Sequence, residues 1–449
     1  MIFSRWNGSS KIFLIENERQ FTYGQLFEAV TNLSQLLSIP NTDKNFYVLE
    51  AEHSFHSYVR YIALLLNGQN VLLCSAEQFA DKSYLQLLSQ EANEKFISWG
   101  LGTSKPQFEQ VAQTQKTNTV PELERVDESY FLVRTSGSSS KKFKLVLHST
   151  SLFLNKYQMI GKHFEKTFAF SPAESVAGIE TLLEVIAHDL VLVSSVGDLA
   201  PSKVSELIRN NAVDYFQTTP TFMNLMILTG QVEANNLKGL KKIAYGSEPS
   251  QQFVTNTFRE KLPNIELVHT YGMSEIGILK TITDRNDPSR FRFDPRFIDY
   301  KVVDGILEVR SMTKMIKYLN FEEPNNSMGE TWFNTSDQVI VEEDFLRILG
   351  RSGDLINVGG RKFFPSEIEN LIRDLEDVKD ITITTEKNEM IGTVIIANIV
   401  IEAEVDEMDF RMKFKNFCQE KIISYMHPHK IKIKREIEIS PRFKKMRTS

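Results

Sequence analysis

Only two cysteines, Cys74 and Cys418, occur in the 449 residues, and they lie far apart. A disulfide framework is excluded, and a reducing, cytoplasmic setting is expected. Cys418 sits among Phe414, Phe417 and Ile422, so it reads as a core residue. No apolar run approaches the roughly 20 residues needed to span a bilayer. The first residues, Met1 to Asn7, lack an apolar signal core. Basic residues are not in excess: Lys+Arg 52 against Asp+Glu 58 leaves a net charge of −6. That balance argues against nucleic acid as a partner, although the C-terminus is locally basic. The eight histidines fall in no metal-ligand spacing, and His427-Pro428-His429 reads as a surface turn. No internal repeat is present.

What is there is a globular composition, 41% hydrophobic, in a chain long enough for two or three domains. Lys11 to Ile15 and Phe46 to Leu49 read as strands. From Tyr23 to Leu37, apolar residues recur at helical spacing with one buried face. Tyr58 to Leu66 is apolar on most faces, a buried helix that stops at Asn67-Gly68 before the strand Val71 to Leu73. Phe108 to Glu128 is polar and reads as a linker. Strand and helix patterns alternate again from 150 to 240. This alternation predicts an α/β domain with mixed, mostly parallel sheets.

From Gly305 the pattern turns β-rich, through Trp332-Phe333 and Asp337 to Val341. The stretch 283–296 is charged and without clear periodicity. Gly350 and Gly353 mark the expected boundary, because glycine absorbs large backbone rotations. The division is therefore 1–352 and 353–449. The second part is a small α+β domain of about a hundred residues, a normal domain size. Within it, Ser366-Glu367-Ile368-Glu369 matches a capping box. Strands are expected at Ile381–Thr384, Val394–Ile401 and near Ile431–Ile433, with an amphipathic helix through Phe410, Phe414 and Phe417.

Three polar loops follow strands in the large part. Thr135-Ser136-Gly137-Ser138-Ser139-Ser140-Lys141 is small, hydroxylic and basic. Backbone amides in such a turn form an anion nest suited to a polyphosphate, although Walker A spacing is absent. Gly246-Ser247-Glu248-Pro249 and Tyr271-Gly272-Met273-Ser274-Glu275 are the others. In open α/β sheets, loops at the carboxyl ends of strands converge on ligand sites. Taken singly, each has a plain reading: a chain reversal at Gly246 or Gly272, a surface carboxylate at Glu275, a turn cap at Asp337. Their shared order and spacing make joint coincidence a poor account.

Together these loops resemble those of the adenylate-forming superfamily: acyl- and aryl-CoA synthetases, luciferases and nonribosomal adenylation domains. The resemblance covers nearly the whole chain. It implies a large N-terminal domain that binds ATP and a carboxylic acid, and a small mobile C-terminal domain that swings over the site. Thr135, Ser136, Gly137, Ser138 and Ser139 match the phosphate loop, with Ser140 in a glycine's place. The motif lysine falls at Phe143, or at Lys144 with one insertion, and Lys144 is preferred. By resemblance Tyr271-Gly272 belongs to the adenine site, with Tyr271 stacking on the base. Ser274 touches the α-phosphate and Glu275 ligates Mg²⁺. Gly246, Ser247 and Glu248 line the adenine and acyl pockets. Asp337 holds the ribose hydroxyls, with Ser336 where the family has glycine, and Arg351 is a second nucleotide contact. Gly353 occupies the hinge position.

Gly359 and Gly360 lie in the loop that enters the site for thioester formation, their smallness leaving a path for a pantetheine arm. Lys444 aligns with the catalytic lysine, Lys445 being the alternative, and Arg447 with the final arginine. The implied activity is an AMP-forming acid–thiol ligase acting on CoA or on a carrier-protein phosphopantetheine in trans. The alternative is a drifted, non-catalytic nucleotide- or partner-binding relative. Phe170 to Ile179 carries no aspartate, and Glu174 is its only carboxylate. That region resembles aryl-CoA ligases such as o-succinylbenzoate–CoA ligases, and an uncharged aryl or acyl acid is expected.

Overall fold

Residues that alternate in burial, or that are buried on both faces, lay out the sheets of this molecule. The computed structural model describes residues 3–37, 46–92, 96–100, 128–136, 143–248, 252–321, 332–388, 392–402 and 404–435. The expected linker before Glu128, the serine loop 137–142 and the C-terminal 436–449 with Lys444, Lys445 and Arg447 lie outside the described residues.

The helix Tyr23–Leu37 buries Tyr23, Leu26 and Val30, the face read from the spacing. The helix Phe55–Leu66 opens at Ser54, whose hydroxyl accepts from the Ser57 amide, and is buried along most of its length. It ends at Asn67 and Gly68, the glycine in left-handed backbone at φ +68°. The following strand, Asn70–Cys74, is buried at every position. Such strands belong to parallel sheets covered on both faces.

One sheet runs in the order Lys317–Tyr318, Phe143–Ser149, Tyr130–Ser136, Asn70–Cys74, Phe46–Glu50 and Phe96–Trp99. It is parallel except at the hairpin of Tyr130–Ser136 with Phe143–Ser149 and its Lys317–Tyr318 neighbour. A second, eight-stranded sheet has the order Gly277–Leu279, Glu266–Met273, Lys242–Gly246, Tyr215–Thr218, Lys166–Phe168, Val191–Ser194, Ile12–Glu16 and Arg19–Thr22. Its interior is parallel and both edges are antiparallel. The mixed, mostly parallel architecture is as expected.

The β-rich region is a six-stranded antiparallel sheet from Thr281–Thr283 to Phe345–Arg351. It includes Arg290–Phe293, inside the stretch that showed no periodicity. Phe291 and Phe293 point inward and the two arginines outward, an alternation too short to stand out in so charged a segment.

Beyond Arg351, Ile356, Phe363, Ile368, Ile381, Ile395, Phe410, Phe414 and Cys418 share a separate hydrophobic cluster. The strands Val378–Asn388, Gly392–Ile401 and Lys430–Lys434 form its sheet, and the helices Pro365–Ile372 and Glu407–Lys421 cover it. The helix cap lies two residues earlier than the sequence suggested. Pro365 is the first helical residue, and Glu367 reaches back to the Phe364 amide at 2.7 Å. Ser366 instead donates to the Leu349 carbonyl, and Glu369 accepts from the Ile383 amide inside the core. Proline fits the first helical position because its missing N–H has no partner to lose there. Among the described residues, no helix is long and apolar enough to cross a membrane.

Candidate functional site

The Lys242–Gly246 and Glu266–Met273 strands are paired in parallel, with Gly246 opposite Thr270. A Cβ on Gly246 would stand 2.3 Å from the Thr270 carbonyl oxygen, so glycine is required by this contact. Ser247 follows at φ +69°, exposed to solvent. Glu248 turns back and accepts from the Thr221 amide at 2.6 Å, in the first turn of the helix Pro220–Leu228. A carboxylate there satisfies an otherwise orphaned N–H and complements the helix dipole. The sequence placed Glu248 at the nucleotide. The structure gives its carboxylate a helix-capping partner.

The Glu266–Met273 strand continues past Gly246 and folds back as Gly277–Leu279, leaving Ser274, Glu275 and Ile276 at the tip. Gly272 is needed because a Cβ would meet the Gly277 carbonyl at 2.6 Å. The tip is tied off from outside. His148 Nε2 donates to the Ser274 carbonyl at 2.6 Å, the Met315 amide to Glu275 at 2.7 Å, and the Thr313 hydroxyl to Ile276 at 2.7 Å. Three consecutive carbonyls are thereby held, and the backbone that carries Ser274 and Glu275 is fixed in place. His148 was not singled out in the sequence. It is buried between Phe131 and Phe153, and burial pushes its pKa down to about 4, so it acts as a neutral donor.

Tyr318 donates to Glu275 Oε1 at 3.0 Å. The Lys144 ammonium lies 4.5 Å from the Tyr318 ring centre and 4.2 Å from that of Phe321. Lys144 pairs across the hairpin with Thr135, so both ends of the serine loop meet at the lysine that rests on Tyr318, the partner of Glu275.

Asp337 is joined to the same place. The Tyr271 hydroxyl donates to Asp337 Oδ2 at 2.6 Å, and Arg351 Nε lies 3.6 Å from Oδ1 across a ladder that pairs the two residues. Asp337 is 7% exposed. Burial raises its pKa above the ordinary carboxylate value, against the lowering effects of Tyr271 and Arg351. Each carboxylate oxygen offers two acceptor sites, so neither is exhausted by these partners. The Tyr271 ring is also only 7% exposed, with Phe291 stacked on it at 5.7 Å and 23°. Stacking of a base on Tyr271 is thus restricted to the ring face away from Phe291.

In the C-terminal part, Gly359 at φ +58° and Gly360 at φ +85° make the two-residue turn between Ile356–Val358 and Arg361–Phe363. Positive φ at both central residues is what this hairpin demands. No atom lies within 4 Å of a Cβ built at either. The turn by itself accounts for their smallness. Gly353 lies in the short turn Ser352–Asp354 with nothing within 4 Å and no positive φ, so the fold itself does not require glycine there.

The segment from Phe170 leads into the helix Val176–His188, with Ser175 as its cap. Glu180 and Glu184 of this helix are buried, although the sequence reading singled out Glu174. Lys156 forms an ion pair with Glu180 and donates to the Ile278 carbonyl at 2.7 Å. Glu180 also accepts from the Tyr157 hydroxyl and the Ile278 amide, both at 2.5 Å. This cluster anchors the strand returning from the Ser274–Glu275 tip. Two glutamates one helical turn apart in an apolar run were the available signal. A cavity of about 720 Å³ adjoins the cluster, lined by Glu184, Gln217, Lys242, Thr270 and Lys280 among others.

The AMP-binding enzyme family matches residues 68–305. The 2-succinylbenzoate–CoA ligase of Listeria monocytogenes serotype 4b (strain F2365) is 25% identical over 51% of this chain, and the match spans about half, 49%, of that protein. The D-alanine–D-alanyl carrier protein ligase of Staphylococcus epidermidis is 21% identical over 92% of this chain and 89% of its own length. The o-succinylbenzoate coenzyme A synthetase (MenE) of Bacillus subtilis, solved with ATP and a magnesium ion, superimposes with a TM-score of 0.76 at 17% identity, covering 99% of this chain and 98% of its own. That likeness is one of fold.

Proposed function

This chain belongs to the AMP-binding enzyme family, and from that premise we infer that it is an ATP-dependent acid–thiol ligase acting on a small carboxylic acid. The reaction has two halves. A carboxylate oxygen attacks the α-phosphorus of ATP, the bond to pyrophosphate breaks, and a mixed anhydride with AMP forms. A thiol then attacks the acyl carbon and AMP leaves, carrying the bonding electron pair. Splitting the reaction this way activates a carboxylate that resists nucleophiles directly. The thiol is CoA or a carrier-bound phosphopantetheine supplied in trans.

The observation that carries this reading is the single cluster made by Tyr271, Ser274, Glu275, Asp337, Arg351 and Lys144 at one end of the sheets. Asp337 and Arg351 hold the ribose, Ser274 orients the α-phosphate, and the hairpin from Thr135 to Lys144 cradles the outer phosphates through Ser136, Gly137, Ser138 and Ser139. Gly246 and Ser247 border the base and the acid.

Magnesium fits this donor set. Among the described residues no group of three His, Cys, Asp or Glu side chains could cage a metal alone. Mg²⁺ instead takes one or two carboxylates plus substrate phosphates. Glu275 has one oxygen engaged by Tyr318 and a backbone that is locked, so Glu275 would hold the ion, which supplies charge neutralisation on the phosphates.

The part from 353 turns about Gly353 between the halves, bringing Lys444 in for adenylation and Gly359-Gly360 in for thioester formation. A lysine beside the developing charge on the α-phosphate strengthens the transition state. Two buried thiols, Cys74 and Cys418, fit a reducing cytoplasm.

Pyrophosphate exchange with a panel of acids tests this. Lys444→Ala is expected to cut exchange by roughly 100- to 1,000-fold, the usual cost of one such charge, while ATP binding persists. Lys445→Ala in parallel decides between the two lysines. A second reading, a nucleotide-binding protein without catalysis, is favoured by Ser140 and Ser336 standing where the family has glycine, Ser336 at φ +60°. ATP binding with no exchange for any acid would establish it and end the first.

A further inference from the structure

Glu275, the residue placed at Mg²⁺, stands on a turn between two strands rather than on a strand. Within that turn the Ile276 amide donates to the Met273 carbonyl at 3.2 Å. A side chain carried by so short a turn keeps a precise position only if neighbouring elements hold it.

The strand Phe143–Ser149 is that neighbour. Side chains along a strand alternate between its faces, so Lys144, Val146 and His148 share one. Each of them meets the turn or one of its supports. Lys144 rests on the ring of Tyr318, which donates to Glu275 Oε1. Val146 belongs to one hydrophobic cluster with Tyr271, Ile276 and Leu279. His148 donates to the Ser274 carbonyl. The same strand also anchors the segment that carries Thr313 and Met315. The Ile316 amide donates to the Leu147 carbonyl at 2.8 Å, and the Leu319 amide to that of Leu145 at 2.9 Å.

Histidine is a costly residue at this position. Its ring is 1% exposed, with Phe131 at 5.1 Å and Phe153 at 5.2 Å, surroundings that suit an apolar side chain. Nδ1 has no hydrogen-bond partner among the described residues, and an unmet buried acceptor is destabilising. What the imidazole contributes is Nε2. A carbonyl can only accept, so Nε2 carries the proton and donates it. The peptide unit is planar, so fixing the Ser274 carbonyl also fixes the Glu275 amide and Cα. That bond thereby sets the direction in which the Glu275 side chain leaves the turn.

Resting on the ligase reading above, we propose that His148 is a positioning residue for adenylation: its Nε2–H fixes the Ser274–Glu275 peptide plane and so orients the carboxylate that would hold Mg²⁺. Two ends of one strand face then bracket Glu275, Lys144 through Tyr318 at a carboxylate oxygen and His148 at the backbone.

Calorimetric titration of ATP with and without Mg²⁺ tests it. In the wild type Mg²⁺ should tighten ATP binding. His148→Leu suits the apolar surroundings but cannot donate. It should lose most of that gain, about 10- to 100-fold, the usual cost of removing a group that orients a metal ligand. His148→Gln, whose side-chain N–H can reach the same carbonyl, should recover most of it. In pyrophosphate exchange His148→Leu should lower kcat by a similar factor and leave KM for the acid unchanged. A purely structural role would instead follow the urea midpoint, which leucine is expected to keep or raise, and glutamine would not rescue it. A Mg²⁺-dependent gain that survives in His148→Leu overturns the proposal. So does a wild type that shows no gain, or a loss that His148→Gln does not recover. If ATP binds but no acid supports exchange, the ligase reading has failed, and the Mg²⁺ titration still decides this one.

Discussion

Ser336 holds a φ of +60° just before Asp337, with its side chain exposed. A residue with a Cβ costs roughly 1–2 kcal/mol in that conformation, and glycine forfeits roughly 0.5–1 kcal/mol of that gain to its greater freedom when unfolded. The backbone contacts at this position, from the Ser336 amide to Asn334 and from the Ser352 hydroxyl to the Ser336 carbonyl, do not need the serine side chain. Ser336→Gly should therefore stabilise the protein by about 0.5–1 kcal/mol, read as a raised denaturation midpoint in urea. The neighbouring Tyr271 acts differently. Its hydroxyl lowers the pKa of Asp337 and satisfies one carboxylate oxygen. Tyr271→Phe leaves that oxygen short of a donor, at about 1–3 kcal/mol. The Asp337 pKa should rise further, so the acid limb of the pH profile of exchange should move to higher pH, with a raised KM for ATP. An unmoved acid limb would show that Asp337 does not hold the nucleotide.

The helix Val176–His188 and the strand Gly277–Leu279 are bound through Lys156 and Glu180, whose side chains are only 9% and 1% exposed. Removing one member of such a pair leaves an uncompensated buried charge, at about 3–5 kcal/mol. Lys156→Met should cost that much by denaturant titration, whereas replacing both residues by apolar ones of similar volume should recover most of it. These long-range ties were the least legible part of the sequence. The Glu180 carboxylate meets the Ile278 amide 98 residues away. Helical spacing shows which face is apolar, and it does not show which distant amide waits opposite a glutamate. By contrast, Gly246, Gly272, Gly359 and Gly360 could be read because close backbone contacts or left-handed φ values restrict those positions to one residue type. The helix-capping contact of Glu248 was missed for the same reason as the contact of Glu180: a carboxylate near a loop looks alike in sequence whether it meets a ligand or a helix end.

Across the whole molecule, burial sets a pH optimum for stability. His148, His163 and His269 are all pushed down to about 4, mainly by burial. Their ordinary value is 6.5, so between pH 6.5 and about 4 the unfolded chain binds three protons that the folded one does not. Stability is then lost as pH falls through that window. His53 and His188 are shifted in the same direction and add to it. Glu184 works oppositely. Its folded value of about 8 against an ordinary 4.5 means the folded chain keeps a proton that the unfolded chain releases. Stability from this group is lost as pH rises from 4.5 to about 8. Below pH 6.5 three protons outweigh one, and stability rises with pH. Between 6.5 and about 8 the histidines no longer titrate and Glu184 makes the slope negative. The maximum is expected near pH 6.5, by urea denaturation across pH 4.5 to 8.5. Glu184→Gln, which cannot ionise, should flatten the alkaline side and leave the acid side unchanged. An alkaline slope that persists in Glu184→Gln would assign it to another buried acid.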